Sequence, residues 1–284
     1  MATPTRPRIE LFFKSDSELR QRVRFLSEAG FDRFNVVHKD KRDTLAAWVA
    51  TILEECPRAD VCAHLSVKNL RVPRDTKTGD ATFAAFKARI AELAALDGVE
   101  VLVVSGSRAA APFDSASILE RLGAEDAREP SGAPRPKVGV AFNPYLGGAG
   151  AGAREAECAR LLRKVASDRV GSVWLQFGCD AALLADELVW LRGACPGTRV
   201  VGSVFLPTPT LLAQQKFRPW SGVLLDAAFL ASPDAAFEAT RRILAVYAAH
   251  GVDVLVEAPG VRKAHDLDLV QRLIFPASNG GDTP

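Results

Sequence analysis

Eight strand-length apolar runs recur along the chain, separated in most places by longer segments of helical period. The runs are Ile9–Phe13, Phe34–Val37, Val61–Leu65, Val99–Val104, Val138–Phe142, Ser172–Phe177, Arg199–Phe205 and Val252–Ala258. They are nearly continuous rather than alternating, which is the pattern of strands covered on both faces. Between them, residues 16–29, 81–96, 154–168, 180–194 and 232–249 read as helices. In the first, Leu19, Val23 and Leu26 fall on one face and Gly30 can end the helix. Asp180 and Ser232 are suited to N-caps, and Pro233 then occupies a first helical position. Strands alternating with helices imply a parallel sheet. Eight such units in 284 residues predict one (βα)8 TIM barrel spanning residues 1–284. An open dinucleotide-binding sheet is disfavoured, because no G-x-G-x-x-G follows the first run.

The segment after the seventh run reads as a short helix, a crossing segment around Pro219 and Trp220, then a longer helix. Residues 71–80 and 124–136 read as loops, and the tail from about residue 277 as frayed. The first loop follows the third strand, on the face where barrel active sites form. No second domain or short-period repeat is visible.

Bulk features narrow the partners. Lys+Arg 36 against Asp+Glu 34 gives net charge +2, which argues against a general nucleic-acid binder. No apolar run reaches about 18 residues, so no membrane span is expected. The N-terminus lacks an apolar signal core. Five cysteines in no C-x-x-C spacing suggest reduced thiols and a cytoplasmic location. The four histidines form no H-x-x-x-H or H-x-H, so no metal site is expected. No G-x-S-x-G elbow and no P-loop occurs. Residues 146–153 are Gly-rich; they suit a phosphate cradle at a helix start and an ordinary flexible loop equally well.

In a barrel, polar residues on or just after the strands converge on one mouth. Here they are Glu10, Asn35, His38, His64, Ser66, Lys68, Ser105, Ser107, Asn143, Gln176 and Glu257. Each also has a plain structural reading. A strand Glu often pairs with an Arg or Lys, His64 could be a satisfied core histidine, and Asn143 and Gln176 could be barrel-layer hydrogen-bonding groups. Lys164 lies in an amphipathic helix, where a solvated lysine is the ordinary expectation. His250 and His265 read as surface residues.

The ordered motifs I-E-L-F-F-K (9–14), A-H-L-S (63–66), V-S-G-S (104–107), V-A-F-N-P (140–144), L-L-R-K-V-A-S-D-R (161–169), L-Q-F-G-C-D (175–180) and F-L-P (205–207) together resemble methylenetetrahydrofolate reductase. The resemblance spans nearly the whole chain. It implies an FAD-dependent oxidoreductase that uses NAD(P)H to reduce 5,10-methylenetetrahydrofolate to 5-methyltetrahydrofolate. Glu10 would be the catalytic acid that protonates N5 of the folate. A carboxyl in an apolar mouth is expected to hold its proton near neutral pH. His64 and Lys164 would meet the cofactor, Gln176 and Arg262 the substrate. Ser107 and Asn143 occupy further cofactor-binding positions, where the family carries Asp and Tyr, so both contacts change character. Alternatives are a non-catalytic barrel relative and a lyase with Lys164 or Lys68 as Schiff-base lysine. The expected partners are small molecules, with homo-oligomer formation left open.

Overall fold

The computed structural model describes residues 6–39, 44–70, 79–105, 113–128, 137–148, 150, 152–257 and 260–274. The elements run β1 (Arg8–Glu10), α1 (Asp16–Glu28), β2 (Arg33–Val37), α2 (Leu45–Glu55), β3 (Asp60–Ser66), α3 (Gly79–Ala94), β4 (Val99–Val104), α4 (Ser115–Arg128), β5 (Val138–Phe142), α5 (Ala153–Val165), β6 (Val170–Leu175), α6 (Ala181–Ala194), β7 (Arg199–Val204), α7 (Pro209–Phe217), α8 (Ala227–Ala231), α9 (Pro233–Ala249), β8 (Asp253–Val256) and α10 (Ala264–Ile274). Each strand pairs in parallel with the next, and β1 closes against β8. This is the expected (βα)8 barrel. Among the described residues, no helix is long and apolar enough to cross a membrane.

The helix ends follow their caps. Ser15, Asp180 and Ser232 each accept a backbone N–H of the first turn, and Pro233 sits in the first turn of α9. Gly30 ends the turn after α1 with φ +86, a conformation that glycine adopts without strain. Three expectations need correction. The first apolar run is a strand only as far as Glu10. Leu11 still donates to the Asn35 carbonyl at 2.8 Å, but Phe12 and Phe13 leave the ladder, and Phe13 packs edge-on to Trp48. The loop expected from residue 124 begins later, because α4 continues to Arg128. Asp126, in its last turn, is held by a two-pronged ion pair with Arg169 at 2.6 and 2.7 Å. Finally, helices at 45–55, 115–128 and 264–274 have no counterpart in the periodicity reading.

Strand side chains alternate between two faces. Ile9, Phe34, Val36, Val61, Val101, Val140 and Val173 point outward and pack under the helices. The inner face is layered. At its N-terminal end lies a ring of charge. Arg33 pairs with Asp60 at 3.3 Å and Asp253 at 2.9 Å, and Arg199 reaches Asp253 and Glu100. Ser172 joins Glu100, and the Trp174 indole N–H donates to Ser172 at 2.8 Å. Above this, Cys62, Leu102, Trp174, Val201 and Leu255 form an apolar plug. Arg8 shares that layer. It is fully buried, lies over the Trp174 ring, and donates to Asn35, Asp60 and the Phe34 carbonyl. The barrel is therefore a packed core, not a pore.

Gly139 makes room for this plug. A Cβ there would collide with the Trp174 indole nitrogen and come within 2.8 Å of the Ser172 hydroxyl. Gly139→Ala is expected to lower the unfolding free energy by about 1–3 kcal/mol, the usual penalty of overpacking. Denaturant unfolding followed by tryptophan fluorescence checks this. A stability within about 0.5 kcal/mol of the native chain would show that the plug yields.

Candidate active site at the C-terminal mouth of the barrel

Glu10 is the last residue of β1, two positions beyond the inward Arg8, so it shares the inner face and opens onto the mouth. Across from it, β6 extends past its last paired residue. Gln176 donates its backbone N–H to the Phe142 carbonyl and continues the inner face of Trp174. β8 extends in the same way. Glu257 donates to the Val204 carbonyl at 2.9 Å and continues the face of Leu255. Ser203, inward on β7, faces the Glu257 side chain and favours its ionised form. From β3 come His64 and Ser66. The Ser66 hydroxyl is buried without a hydrogen-bond partner among the described residues. Glu10, Ser66, Gln176, Ser203 and Glu257 thus form a polar ring over a dry floor. Catalytic groups of (βα)8 barrels characteristically sit at this end.

Two groups here have displaced proton affinities. Burial pushes the Glu257 carboxyl up to about 7, with Ser203 acting against the shift. His64 is pushed down to about 3, by burial first and then by the positive charge of Arg8. Its hydrogen bonding agrees. Asn35 Oδ1 accepts from Arg8 Nε at 2.7 Å, so the Asn35 amide nitrogen is the donor to His64 Nε2 at 2.6 Å. The imidazole also lies edge-on to Trp174, with ring centres 6.0 Å apart. His64 is a neutral, satisfied core histidine forming part of the floor.

A pH dependence follows. The unfolded chain takes up a proton at His64 near its ordinary value of 6.5, and the folded chain only near 3. Stability from this group is complete above pH 6.5 and is lost as the pH falls toward 3. The loss approaches about 4 kcal/mol. The check is the difference in unfolding free energy between the native chain and His64→Gln from pH 7 to pH 4. It is expected to shrink as acid is added; a constant difference would contradict the assignment.

The other expected site residues divide. Gln176 reaches the mouth, though its Oε1 accepts the Phe177 N–H at 2.9 Å. Asn143 is on the rim and fully engaged. It donates to the Gly222 carbonyl at 2.8 Å, accepts from Tyr145 N, and its own N–H meets Glu157. It ties the end of β5 to the 218–226 crossing segment. Ser105 likewise joins Ser115 and anchors the start of α4. Lys164 corrects the expectation of a solvated lysine. It is buried to 3% exposure and donates to the Ala141 carbonyl at 2.7 Å. Burial pushes its ammonium down to about 8, against the opposing pull of Glu157. Arg262 is exposed on the rim, with its guanidinium 5.9 Å from the centre of the Phe12 ring. On that ring Lys39 makes a second cation contact, at 5.2 Å. Ser107 lies outside the described residues.

Sequence reading placed Glu257 among the mouth residues without a role, and passed over Ser203, Phe12 and Arg8. Ser203 and Arg8 had a signal: each is a polar residue inside or beside an apolar run. Phe12 had none, because aromatic residues in such a run read as core. Among the described residues, no cluster of three or more His, Cys, Asp or Glu could hold a metal ion.

No family model and no curated protein matches this chain. Solved structures do. One is an uncharacterised protein from Clostridium thermocellum that binds two copies of 5-methyl-5,6,7,8-tetrahydrofolic acid. It is 9% identical with a TM-score of 0.56, and the match covers 95% of this chain and 94% of that one. A GH5-4 broad specificity endoglucanase from an uncultured bacterium is 11% identical with TM-score 0.54, over 90% and 83% of the two chains. An endo-1,4-beta-mannanase from Rhizomucor miehei is 9% identical with TM-score 0.52, over 89% and 85%. At such identities the likeness is one of fold.

Proposed function

We propose that the mouth of this barrel binds a reduced folate and that Glu10 donates a proton to its pterin ring. The observation that carries this is the position of Glu10. It is an ionisable group on the inner face at the C-terminal end of β1, above an apolar floor and within a ring of hydrogen-bonding groups. A pterin matches such a ring: it offers several N–H donors along one edge, a basic N5, and a flat surface for apolar contact. Carboxyl, amide and hydroxyl groups at the mouth can accept those donors. Two further lines agree, each at the level of likeness: the methylenetetrahydrofolate reductase motifs, and a barrel of the same extent that binds 5-methyltetrahydrofolate.

The reaction implied by the resemblance is FAD-dependent reduction of methylenetetrahydrofolate with NAD(P)H. When bound, a flavin would supply the hydride chemistry. Its proposed contacts fit poorly here. His64 is buried in the floor, while Asn143 and Lys164 spend their polar atoms on Gly222, Tyr145 and Ala141. This arrangement favours a second reading, a folate-binding barrel that works without flavin. The visible spectrum of the purified chain with added FAD separates the two. A bound-flavin spectrum together with NAD(P)H-dependent formation of 5-methyltetrahydrofolate supports the reductase. Folate binding without retained flavin supports the second reading. Failure to bind either would overturn the proposal.

A further inference from the structure

We propose that the crossing segment 218–226 is a latched wall of the barrel mouth, and that Asn143 is the positioning residue whose hydrogen bond to Gly222 holds this wall against Gln176. The consequence for folate rests on the proposed function; the latch itself does not.

The segment is tied down at both ends. On its N-terminal side the Trp220 N–H donates to Gln215 Oε1 at 3.2 Å, and the Trp220 ring packs on Phe205 with centres 5.1 Å apart. On its C-terminal side Leu224 forms an isolated parallel bridge to Gly178, just past β6. The Asp226 N–H then donates to Cys179 Sγ at 3.3 Å. Between these ends the chain turns, with the Val223 N–H on the Trp220 carbonyl at 3.1 Å and Gly222 at φ +82. Among the described residues, one hydrogen bond joins residues 221–223 to the barrel: Asn143 Nδ2 donates to the Gly222 carbonyl at 2.8 Å.

Asn143 is itself held in place to make that bond. Its Oδ1 accepts the Tyr145 N–H at 3.1 Å, which orients the amide so that its nitrogen faces the segment. Its backbone N–H donates to Glu157 Oε1 at 3.0 Å. The Tyr145 ring lies against Gly178, where a Cβ would collide with it, and Gly178 pairs with Leu224. Both arms of the Asn143 amide therefore lead back to the segment.

The wall faces the site. A Cβ on Gly222 would stand 3.7 Å from Asn143 Nδ2 and 3.9 Å from Gln176 Nε2, so the Gly222 backbone passes beside the Gln176 amide. Gln176 Oε1 is engaged by the Phe177 N–H, which leaves the amide nitrogen as the end presented to a ligand. Releasing Asn143 lets the backbone beside that nitrogen retreat and opens the β6 side of the mouth. Glycine at 222 serves the same geometry, because its left-handed φ is one that a side chain would strain.

The test is amide hydrogen exchange over residues 218–226 in the native chain, Asn143→Asp, Gly222→Ala and the double variant, all without folate. Asn143→Asp keeps the acceptor for Tyr145 but turns a carboxylate, which cannot donate, toward the Gly222 carbonyl. It is expected to speed exchange of the Trp220 and Val223 amides by about tenfold or more, with α9 unchanged. Gly222→Ala should loosen the same amides. The double variant should show less than the product of the two effects, since both act through one latch. Circular dichroism confirms that each variant is folded. Exchange unchanged in Asn143→Asp, or fully multiplicative effects, would overturn the latch. Stopped-flow kinetics of 5-methyltetrahydrofolate on the same samples read its role at the mouth. Dissociation is expected to rise about tenfold in Asn143→Asp while association changes less. A loosened segment with unchanged dissociation would overturn that role. A native chain that binds no folate sinks the proposed function and leaves the latch to stand or fall on the exchange result.

Discussion

Replacing Arg8 by alanine is expected to lower the unfolding free energy by about 2–4 kcal/mol, through the void it leaves and the buried acceptors that lose a donor. Arg8 is fully buried, and its guanidinium satisfies the Asn35 side chain, the Asp60 carboxylate and the Phe34 and Asp60 carbonyls. Alanine removes a donor from each of those acceptors, although Asp60 keeps Arg33 at 3.3 Å, and opens a void beside Trp174. It also frees the Asn35 amide, whose orientation fixes the donor to His64. Lysine would not rescue the fork, because an ammonium cannot reach all these acceptors with planar geometry. Arg8→Met keeps the volume and loses the charge, so the gap between Met and Ala separates cavity from unpaired polar groups. Urea unfolding at pH 7 measures all three. A loss below about 1 kcal/mol for Arg8→Ala would show that the floor of the mouth does not depend on this residue.

The second large effect is functional. Glu10→Gln keeps the shape and hydrogen-bonding capacity of the side chain but removes its acidic proton. If Glu10 donates the proton to N5, turnover of a methylene-bridged tetrahydrofolate falls by about 10²–10⁴, the usual contribution of a positioned general acid. Binding of 5-methyltetrahydrofolate, which asks only for a polar partner, changes far less. Rate constants for native and variant at pH 7, with binding measured on the same samples, give the split. Equal losses in binding and turnover would make Glu10 a binding group alone.

The fold was legible because barrel strands carry a local signal. Each is a short apolar run covered on both faces, and the helix caps Asp180 and Ser232 announce themselves. Helix α2 escaped because L-A-A-W-V-A-T-I-L is apolar almost throughout and shows no clean stripe. At the site, what could be read was residue type on a strand. Glu10, Gln176 and Glu257 reach the mouth because strand parity sends them there. What could not be read was engagement. Lys164 looks solvated on its helix, and only the reach to the Ala141 carbonyl reveals that it is buried. Asn143 ends a strand as an active-site residue would, yet its amide serves the Gly222 segment, 79 positions away. The adjacency of Glu10 and Glu257 is the most distant relation of all. It depends on how the first and last strands register when the barrel closes, and no local pattern encodes that.

The central claim is that a reduced folate binds at the Glu10 end of the barrel. Isothermal titration of the purified chain with 5-methyltetrahydrofolate tests it most directly, with Gln176→Ala and Ser66→Val run in parallel. The account predicts saturable binding to the native chain, weakened about tenfold or more when either mouth residue is replaced. Absence of saturable binding, or binding that both substitutions leave unchanged, would contradict it.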